Sequence, residues 1–249
     1  MKTLILSLAL VLAFTTLAFA ETGKDVAYTV NGEDYQGYFV SAERKGAPLV
    51  LLVHDWDGLN GYEIKRAHML GRLGYDVFAA DLFGAGVRPT EDKDKRQHTG
   101  ELYKDREKMR ALLFGALSEA EAQGADSGNA VVTGYCFGGA AVLEMARAGA
   151  DLKGFATFHG GLSTPEGQDY SNTKGFVLVM HGTADSAISM DDFAELARQL
   201  ESHQVPHEMI TYGGAKHAFS VFDGDRYDAY ADEKSWERFL AFLDERLDG

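Results

Sequence analysis

A single cysteine, Cys136, lies between two glycines in a pattern that is typical of enzyme nucleophiles. Gly134 and Gly138 flank it two residues on either side, where a side chain would clash in a sharp turn from strand to helix. The N-terminus of the following helix favours a thiolate, and its free N–H groups can hold an oxyanion. The spacing therefore predicts a cysteine nucleophile. The alternative is a buried, inert thiol beside glycines that only permit close packing.

An acid and a histidine follow Cys136 in the chain order nucleophile, acid, histidine that one class of α/β enzymes uses. Asp185 comes just after an apolar run of strand length, and His217 lies in the loop after the next predicted strand. Because parallel strands end at the same edge of a sheet, we expect the three side chains to converge. His217 would then take the proton of Cys136, and Asp185 would fix the histidine tautomer.

Three further histidines also lie at predicted strand ends and compete for the role of base: His54, His159 and His181. Only His217 follows an acid in the required chain order. We therefore interpret the other three as structural residues that form hydrogen bonds.

A second segment whose residues could take part in catalysis, His54–Asn60, follows the first buried strand. Its position matches the loop that supplies another oxyanion-binding N–H group in folds of this kind. The alternative is that Asp55 or Asp57 caps the helix that begins near Asn60. Trp56 fits either the core or a pocket wall.

The elements that must position these residues alternate between strand and helix. The predicted strands are residues 26–30, 35–40, 48–54, 76–80, 130–133, 155–158, 176–181 and 207–212. Helical spacing of apolar residues follows at 64–73, 102–122, 140–148, 193–200 and 236–243, and residues 84–100 are expected to form an irregular loop over the site. Continuous apolar strands alternating with helices predict a mostly parallel sheet covered on both faces, in one domain of residues 21–249.

The composition excludes several other classes of function. The chain has 24 basic and 38 acidic residues and a net charge of −14, which argues against a nucleic acid or an anionic membrane as partner. A lone cysteine cannot form an intramolecular disulfide, and no C-x-x-C metal motif or glycine-rich nucleotide loop is present. We therefore expect neither a metal nor a cofactor.

The first twenty residues have the pattern of a secretory signal peptide. Lys2 precedes an apolar run from Leu4 to Leu17, and Ala18-Phe19-Ala20 forms a small-residue cleavage site. The alternative, a membrane anchor, usually needs a longer uninterrupted apolar run. We expect an exported protein, periplasmic or secreted, with no membrane attachment after cleavage.

Taken together, three segments resemble the dienelactone hydrolase family, in particular its exported branch: Gly134–Gly139, His54–Asn60 and Gly213–Phe219. The resemblance implies an α/β-hydrolase fold and a Cys136–His217–Asp185 triad. It also implies an oxyanion hole formed by the N–H groups of Phe137 and Trp56. The expected reaction is hydrolysis of a small carboxylic ester or lactone through a thioester acyl-enzyme without a cofactor, and a monomer is the expected state.

The chain departs from the family pattern where the substrate binds. Asp55 stands where the family has a glutamate that engages the resting thiol. Val221 and Ala85 stand where family members have two arginines for a substrate carboxylate. We therefore expect a neutral ester to be preferred, with Arg88 and Phe219 as candidate substrate-binding residues. A ligand-binding or thiol-redox protein on the same scaffold remains the alternative function.

Overall fold

The computed structural model describes residues 23–248. The predicted signal peptide therefore lies outside the described residues. Within the described range, no helix combines the length and the apolar character that crossing a bilayer requires.

The strands of the described chain form one mixed, mostly parallel sheet. They are β1 (Gly23–Val30), β2 (Glu33–Val40), β3 (Pro48–Val53), β4 (Asp76–Ala80), β5 (Asp126–Tyr135), β6 (Gly154–Phe158), β7 (Phe176–Gly182) and β8 (His207–Tyr212). Their order across the sheet is β1-β2-β4-β3-β5-β6-β7-β8. β2 is antiparallel to both β1 and β4, and the remaining neighbours are parallel. The predicted strands and the predicted fold class are confirmed.

Helices cover both faces of this sheet. They are α1 (Gly61–Gly71), α2 (Asp92–Lys104), α3 (Arg106–Ala122), α4 (Phe137–Arg147), α5 (Met190–Ser202) and α6 (Ala229–Arg246). One core cluster joins the sheet to α3, α4 and α5, and a second joins the opposite face to α1 and α6. Every residue of β3 is buried because alternate side chains enter the two clusters. Burial on both faces explains why the sequence of this strand is a continuous apolar run.

The region between β4 and β5 differs from the sequence prediction. Residues 84–100 are not one irregular loop, since α2 begins at Asp92, and the predicted helix 102–122 is two helices. The backbone leaves helical geometry at Asp105 (φ −112°, ψ 82°), whose side chain accepts the Lys108 N–H and caps α3. α2 buries only Thr99 and Leu102, so it has no apolar stripe that the sequence could reveal.

Candidate active site

The backbone around Cys136 forms a strained turn between β5 and α4. Cys136 has φ 53° and ψ −112°, a region that residues other than glycine rarely adopt. A Cβ atom on Gly134 would lie 2.4 Å from the carbonyl of Gly138, and one on Gly138 would lie 2.4 Å from the carbonyl oxygen of Val53. Both flanking glycines are therefore required for the turn. The turn holds the sulfur at the edge where the parallel strands end.

The structure brings Cys136, His217 and Asp185 into one hydrogen-bonded row. His217 Nε2 lies 3.1 Å from the Cys136 sulfur, and His217 Nδ1 lies 2.8 Å from Asp185 Oδ2. The other Asp185 oxygen accepts the N–H groups of Ala187 and Ile188 at 2.8 and 2.9 Å. An ionised Asp185 can only accept, so Nδ1 donates to it and Nε2 is left to accept a proton from sulfur.

The electrostatics of the row differ from the sequence prediction at the thiol. Burial raises the pKa of the Cys136 thiol, and the charge of Asp55 raises it further. The N–H of Phe137 and the charge of Arg226 lower the same pKa, but by less. Burial and Asp55 therefore oppose the thiolate, whereas the Phe137 N–H at the helix N-terminus and the charge of Arg226 favour it.

Asp185 remains the charged member of the row. Burial alone would raise the pKa of its carboxyl group, but the hydrogen bond from His217 and the two backbone N–H groups lower it more. The net pKa of Asp185 lies below its ordinary value, so the group is a carboxylate at neutral pH.

The other strand-end histidines lie outside this row. His54 contacts the carbonyl oxygen of Asp55 at 2.6 Å through Nδ1 and accepts the Leu82 N–H at 3.1 Å through Nε2, as a structural residue would. His159 Nε2 lies 2.8 Å from the Ser220 hydroxyl oxygen. The buried ring of His181 instead stacks on a phenylalanine of α5, with the ring centroids 5.6 Å apart.

A cavity of about 530 Å³ opens over the sulfur. One face of α2 forms a wall through residues spaced as successive turns of a helix: Asp92, Arg96, Thr99 and Tyr103. The other lining residues are Asp55, Trp56, Cys136, Phe137, Gly161, Ala187, Ile188, His217, Ala218 and Arg226. The sequence prediction missed the α2 wall because α2 was expected to be a loop. No sequence pattern singled out Arg226.

The two candidate substrate-binding residues, Arg88 and Phe219, do not line this cavity. The Arg88 guanidinium donates to the carbonyl oxygens of Val87 at 2.7 Å and Gln36 at 3.3 Å, and it lies 3.4 Å from Asp81. Phe219 is a core residue that is fully buried. Internal contacts therefore hold both side chains outside the cavity lining, and their assignment to substrate binding stays a prediction.

The cavity carries positive charge from residues that the sequence analysis did not consider. Arg96 and Arg226 both line the cavity, although neither occupies the position of a family arginine. The expected preference for a neutral ester rested on the two family positions alone and stays a prediction.

The loop that carries Trp56 is held at both ends by one buried carboxyl group. Glu63 Oε1 accepts the Asp55 N–H at 3.3 Å, and Glu63 Oε2 accepts the Asn60 N–H at 3.0 Å. Asn60, rather than Asp55 or Asp57, caps α1, since its side chain accepts the N–H of a residue in the first turn. The capping alternative for the two aspartates is therefore wrong.

Three carboxyl groups of this loop region come close enough to raise the question of a metal. Oxygens of Asp55, Asp57 and Glu63 lie within 4.8 Å of one another. Burial raises the pKa of Asp55 well above its usual range and the pKa of Glu63 to about 8. Burial therefore favours the protonated forms of Asp55 and Glu63, and a metal ion would have to displace these protons in order to bind.

The sheet order, the strained turn at the nucleophile position and the acid and histidine loops at the same sheet edge define an α/β-hydrolase. Within that class, the chain belongs to the dienelactone hydrolase family, whose model matches residues 35–247. The resemblance noted in the sequence is thereby confirmed, and the protein is a carboxylic-ester hydrolase of this family.

Individual relatives match nearly the whole chain. The solved structure of a dienelactone hydrolase-like promiscuous phosphotriesterase from metagenomic libraries has 30% sequence identity and a TM-score of 0.86. The match covers 92% of this chain and 100% of that one. Protein usf of Aquifex pyrophilus is 24% identical, with 90% of this chain and 99% of that protein covered. A Bradyrhizobium protein named as a probable 2-oxo-3-(5-oxofuran-2-ylidene)propanoate lactonase is 25% identical, with 86% and 90% covered.

Proposed function

We propose that this protein hydrolyses a small carboxylic ester or lactone through a thioester acyl-enzyme on Cys136. The observation that carries the proposal is the 3.1 Å contact between the Cys136 sulfur and His217 Nε2. Asp185 lies 2.8 Å behind the same ring, and a cavity of about 530 Å³ opens in front of it. A nucleophile, a base and an orienting acid beside a substrate-sized cavity are the parts that acyl transfer needs.

The first half of the reaction forms the thioester. His217 takes the proton from Cys136 as the sulfur attacks the ester carbonyl carbon, and Asp185 stabilises the resulting imidazolium. The N–H groups of Phe137 and Trp56 hold the oxyanion of the tetrahedral intermediate. His217 then gives its proton to the departing alkoxide, so an alcohol leaves, or the lactone ring opens.

The second half restores the enzyme. His217 removes a proton from a water molecule that attacks the thioester carbonyl carbon. The carbon–sulfur bond breaks, the carboxylic acid departs, and the proton returns to the sulfur of Cys136. Burial of the sulfur favours this thiol form, since it raises the pKa of Cys136. The site therefore rests as a thiol between turnovers.

We infer that the cavity accepts an ester that carries a carboxylate. Arg226 lines the cavity, and its charge acts on the Cys136 sulfur, since it lowers the thiol pKa. Arg96 on α2 adds a second cation, although Asp92 pairs with it at 3.3 Å. An arginine beside a partly dry cavity is the group that recognises a carboxylate best. The Bradyrhizobium relative is named for a propanoate-bearing lactone, which supports the same substrate class.

We further propose that the protein is exported and that residues 1–20 are removed. The support is the order of charge, apolar run and small residues in that segment. Cell fractionation and N-terminal sequencing of the mature protein test this. A mature N-terminus at Glu21 supports export, whereas a retained Met1 on a cytoplasmic protein contradicts it.

Hydrolysis of p-nitrophenyl acetate with and without iodoacetamide tests the proposed function. We expect repeated turnover that is lost in proportion to the fraction of Cys136 alkylated. A ligand-binding or thiol-redox protein would label once and release nothing further. Such single labelling, or turnover that survives complete alkylation, would refute the proposal.

A further inference from the structure

A buried set of polar side chains lies behind His217, on the side away from the cavity. Ser220 is at its centre, three residues after His217 in the same loop. The Ser220 hydroxyl oxygen lies 2.9 Å from the Tyr62 hydroxyl oxygen and 2.8 Å from His159 Nε2. Ser220 and His159 are fully buried. This one hydroxyl group thus joins α1, the end of β6 and the histidine loop.

Arg66 anchors the set. Its Nη2 donates to the Ser220 carbonyl oxygen at 2.9 Å, and its Nε donates to the Tyr62 hydroxyl oxygen at 3.3 Å. The guanidinium pairs with the buried Asp232. Its charge also lies over the rings of Phe222 and Trp236, at 4.2 and 4.8 Å. With so many partners in the interior, Arg66 has little freedom to move.

The chemistry of these groups allows the hydrogen bonds to run in one direction. An arginine can only donate, so the Tyr62 oxygen accepts from Arg66, and the Tyr62 proton is available to Ser220. The single proton of the Ser220 hydroxyl is then directed to His159 Nε2. In this direction that nitrogen is an acceptor, and His159 is neutral with its proton on Nδ1, a buried atom without a hydrogen-bond partner among the described residues. Burial and the neighbouring His217 both lower the pKa of His159, which agrees with a neutral ring.

His159 is in direct contact with the proposed base. The rings of His159 and His217 pack edge to face, with centroids 5.5 Å apart and planes at 65°. The charged or titratable groups that act on His159 are His217, Asp185 and Arg66. A second positive charge at this distance would disfavour protonation of His217 by a factor on the order of 100. The reaction needs His217 to become an imidazolium, so a neutral neighbour is required.

We propose that Arg66, Tyr62 and Ser220 form a one-directional chain of hydrogen bonds that holds His159 in a single neutral tautomer, and that His159 positions the His217 ring for its contact with Cys136. The proposal rests on the proposed function, in which His217 is the base. His159, Ser220, Tyr62 and Arg66 are thus positioning residues, since they act through His217 and do not line the cavity.

Two small substitutions test the chain through activity. Ser220→Ala removes the central hydroxyl group, and we expect kcat to fall roughly tenfold to 100-fold with little change in KM, because a displaced base acts on the chemical step. The rate of alkylation by iodoacetamide should fall with it, since both reactions need His217 to take the thiol proton. Tyr62→Phe, which leaves the Ser220–His159 bond in place, should cost less, about threefold to tenfold in kcat.

Tyr75→Phe is the matched control for Tyr62→Phe. Tyr75 donates its hydroxyl proton to Asp244 at 3.1 Å and does not line the cavity, so the same atom is removed with the loss of one hydrogen bond, where Tyr62→Phe loses two. Its kcat should stay at the wild-type value. If Ser220→Ala and Tyr62→Phe lower only the melting temperature and keep wild-type kcat per folded molecule, the positioning role is refuted.

NMR of protein with isotope-labelled histidine tests the tautomer directly. We expect the nitrogen shifts of His159 to report a proton on Nδ1 and a bare Nε2 from about pH 5 to about pH 8. In Ser220→Ala, Nε2 loses its donor and the shifts should move toward a mixture of tautomers. A proton on Nε2 in the wild type would overturn the proposal. Failure of the proposed function gives a different result, because Cys136→Ala would then retain turnover whichever tautomer His159 adopts.

Discussion

Asp185→Asn tests the proposed orientation of His217 with minimal change of shape. Asp185 Oδ1 accepts the N–H groups of Ala187 and Ile188 at 2.8 and 2.9 Å, so the asparagine carbonyl oxygen should take this side. The amide NH₂ group then faces His217 Nδ1, where the carboxylate now lies at 2.8 Å. Two donors cannot bond, so the imidazole moves its proton to Nε2. That nitrogen then donates toward Cys136 instead of accepting its proton.

The expected fall in kcat of Asp185→Asn follows from two losses that occur together. The wrong tautomer removes general base catalysis, and the imidazolium loses its charged partner. We expect kcat to fall by roughly 10³ to 10⁴, which is about 4 to 5.5 kcal/mol of transition-state stabilisation. Stability should change by no more than about 1 kcal/mol, because the two backbone hydrogen bonds persist. Activity should recover partly at high pH, where solvent hydroxide ionises the thiol.

The assay is steady-state hydrolysis of p-nitrophenyl acetate across pH, with thermal unfolding measured on the same samples. Asp192→Asn is the control, since Asp192 Oδ2 accepts the Ser189 N–H at 3.0 Å in the capping box of α5 and does not line the cavity. This variant should keep wild-type kcat and lose about 1 kcal/mol of stability. If Asp185→Asn retains more than about a tenth of wild-type kcat, the assigned orientation of His217 is wrong.

Three further substitutions test separate parts of the account. Arg226→Gln should lower kcat/KM for a carboxylate-bearing ester, divided by kcat/KM for its methyl ester, about tenfold or more. The control Arg198→Gln, on an exposed surface of α5, should leave this ratio unchanged. Glu63 has a folded-state pKa of about 8 against an ordinary 4.5, so its ionisation opposes folding as pH rises through that window. The free energy of unfolding of Glu63→Gln, minus that of wild type, should therefore grow by a few kcal/mol between about pH 4.5 and about pH 8. A difference that stays constant over this range would contradict the raised pKa of Glu63. Gly138→Ala places a Cβ 2.4 Å from the Val53 carbonyl oxygen. It should abolish folding or lower the free energy of unfolding, measured with denaturant, by over about 3 kcal/mol. A variant as stable as wild type would show that the turn relaxes to accept the methyl group.

The sequence was most informative where a local steric rule applies. Only glycine fits at 134 and 138, so the residue types there predicted a turn that the structure contains. The strands were predictable because burial on both faces leaves a continuous apolar run, as in β3. The chain order of Cys136, Asp185 and His217 predicted side chains that do meet, because parallel strands bring their following loops to one edge. Their catalytic roles stay a prediction.

The sequence was least informative where contacts are distant or polar. α2 lacks an apolar stripe because it buries few residues, so periodicity could not reveal the helix or its cavity face. Arg88 was assigned to substrate because of its position in the chain, yet carbonyl oxygens of Val87 and Gln36 hold it elsewhere. The contact of Tyr62 with Ser220 joins residues 158 positions apart, and no spacing rule predicts it.

The thiol shows why local electrostatic rules were insufficient. A helix N-terminus favours a thiolate at Cys136, but the net pKa depends on how deeply the sulfur is buried and on the charge of Asp55. Both depend on the complete packing of the site. The resting protonation state of Cys136 therefore could not be predicted from the local motif.

Trapping of the acyl-enzyme tests the central claim most directly. The protein is mixed with p-nitrophenyl acetate, quenched in acid within the first turnover and digested, and the peptide that contains Cys136 is weighed by mass spectrometry. The account predicts an acetyl group on that peptide during turnover, its loss when substrate is exhausted, and no turnover in Cys136→Ala. An unmodified Cys136 peptide during a burst of p-nitrophenol, or a Cys136→Ala variant that still hydrolyses the ester, would contradict it.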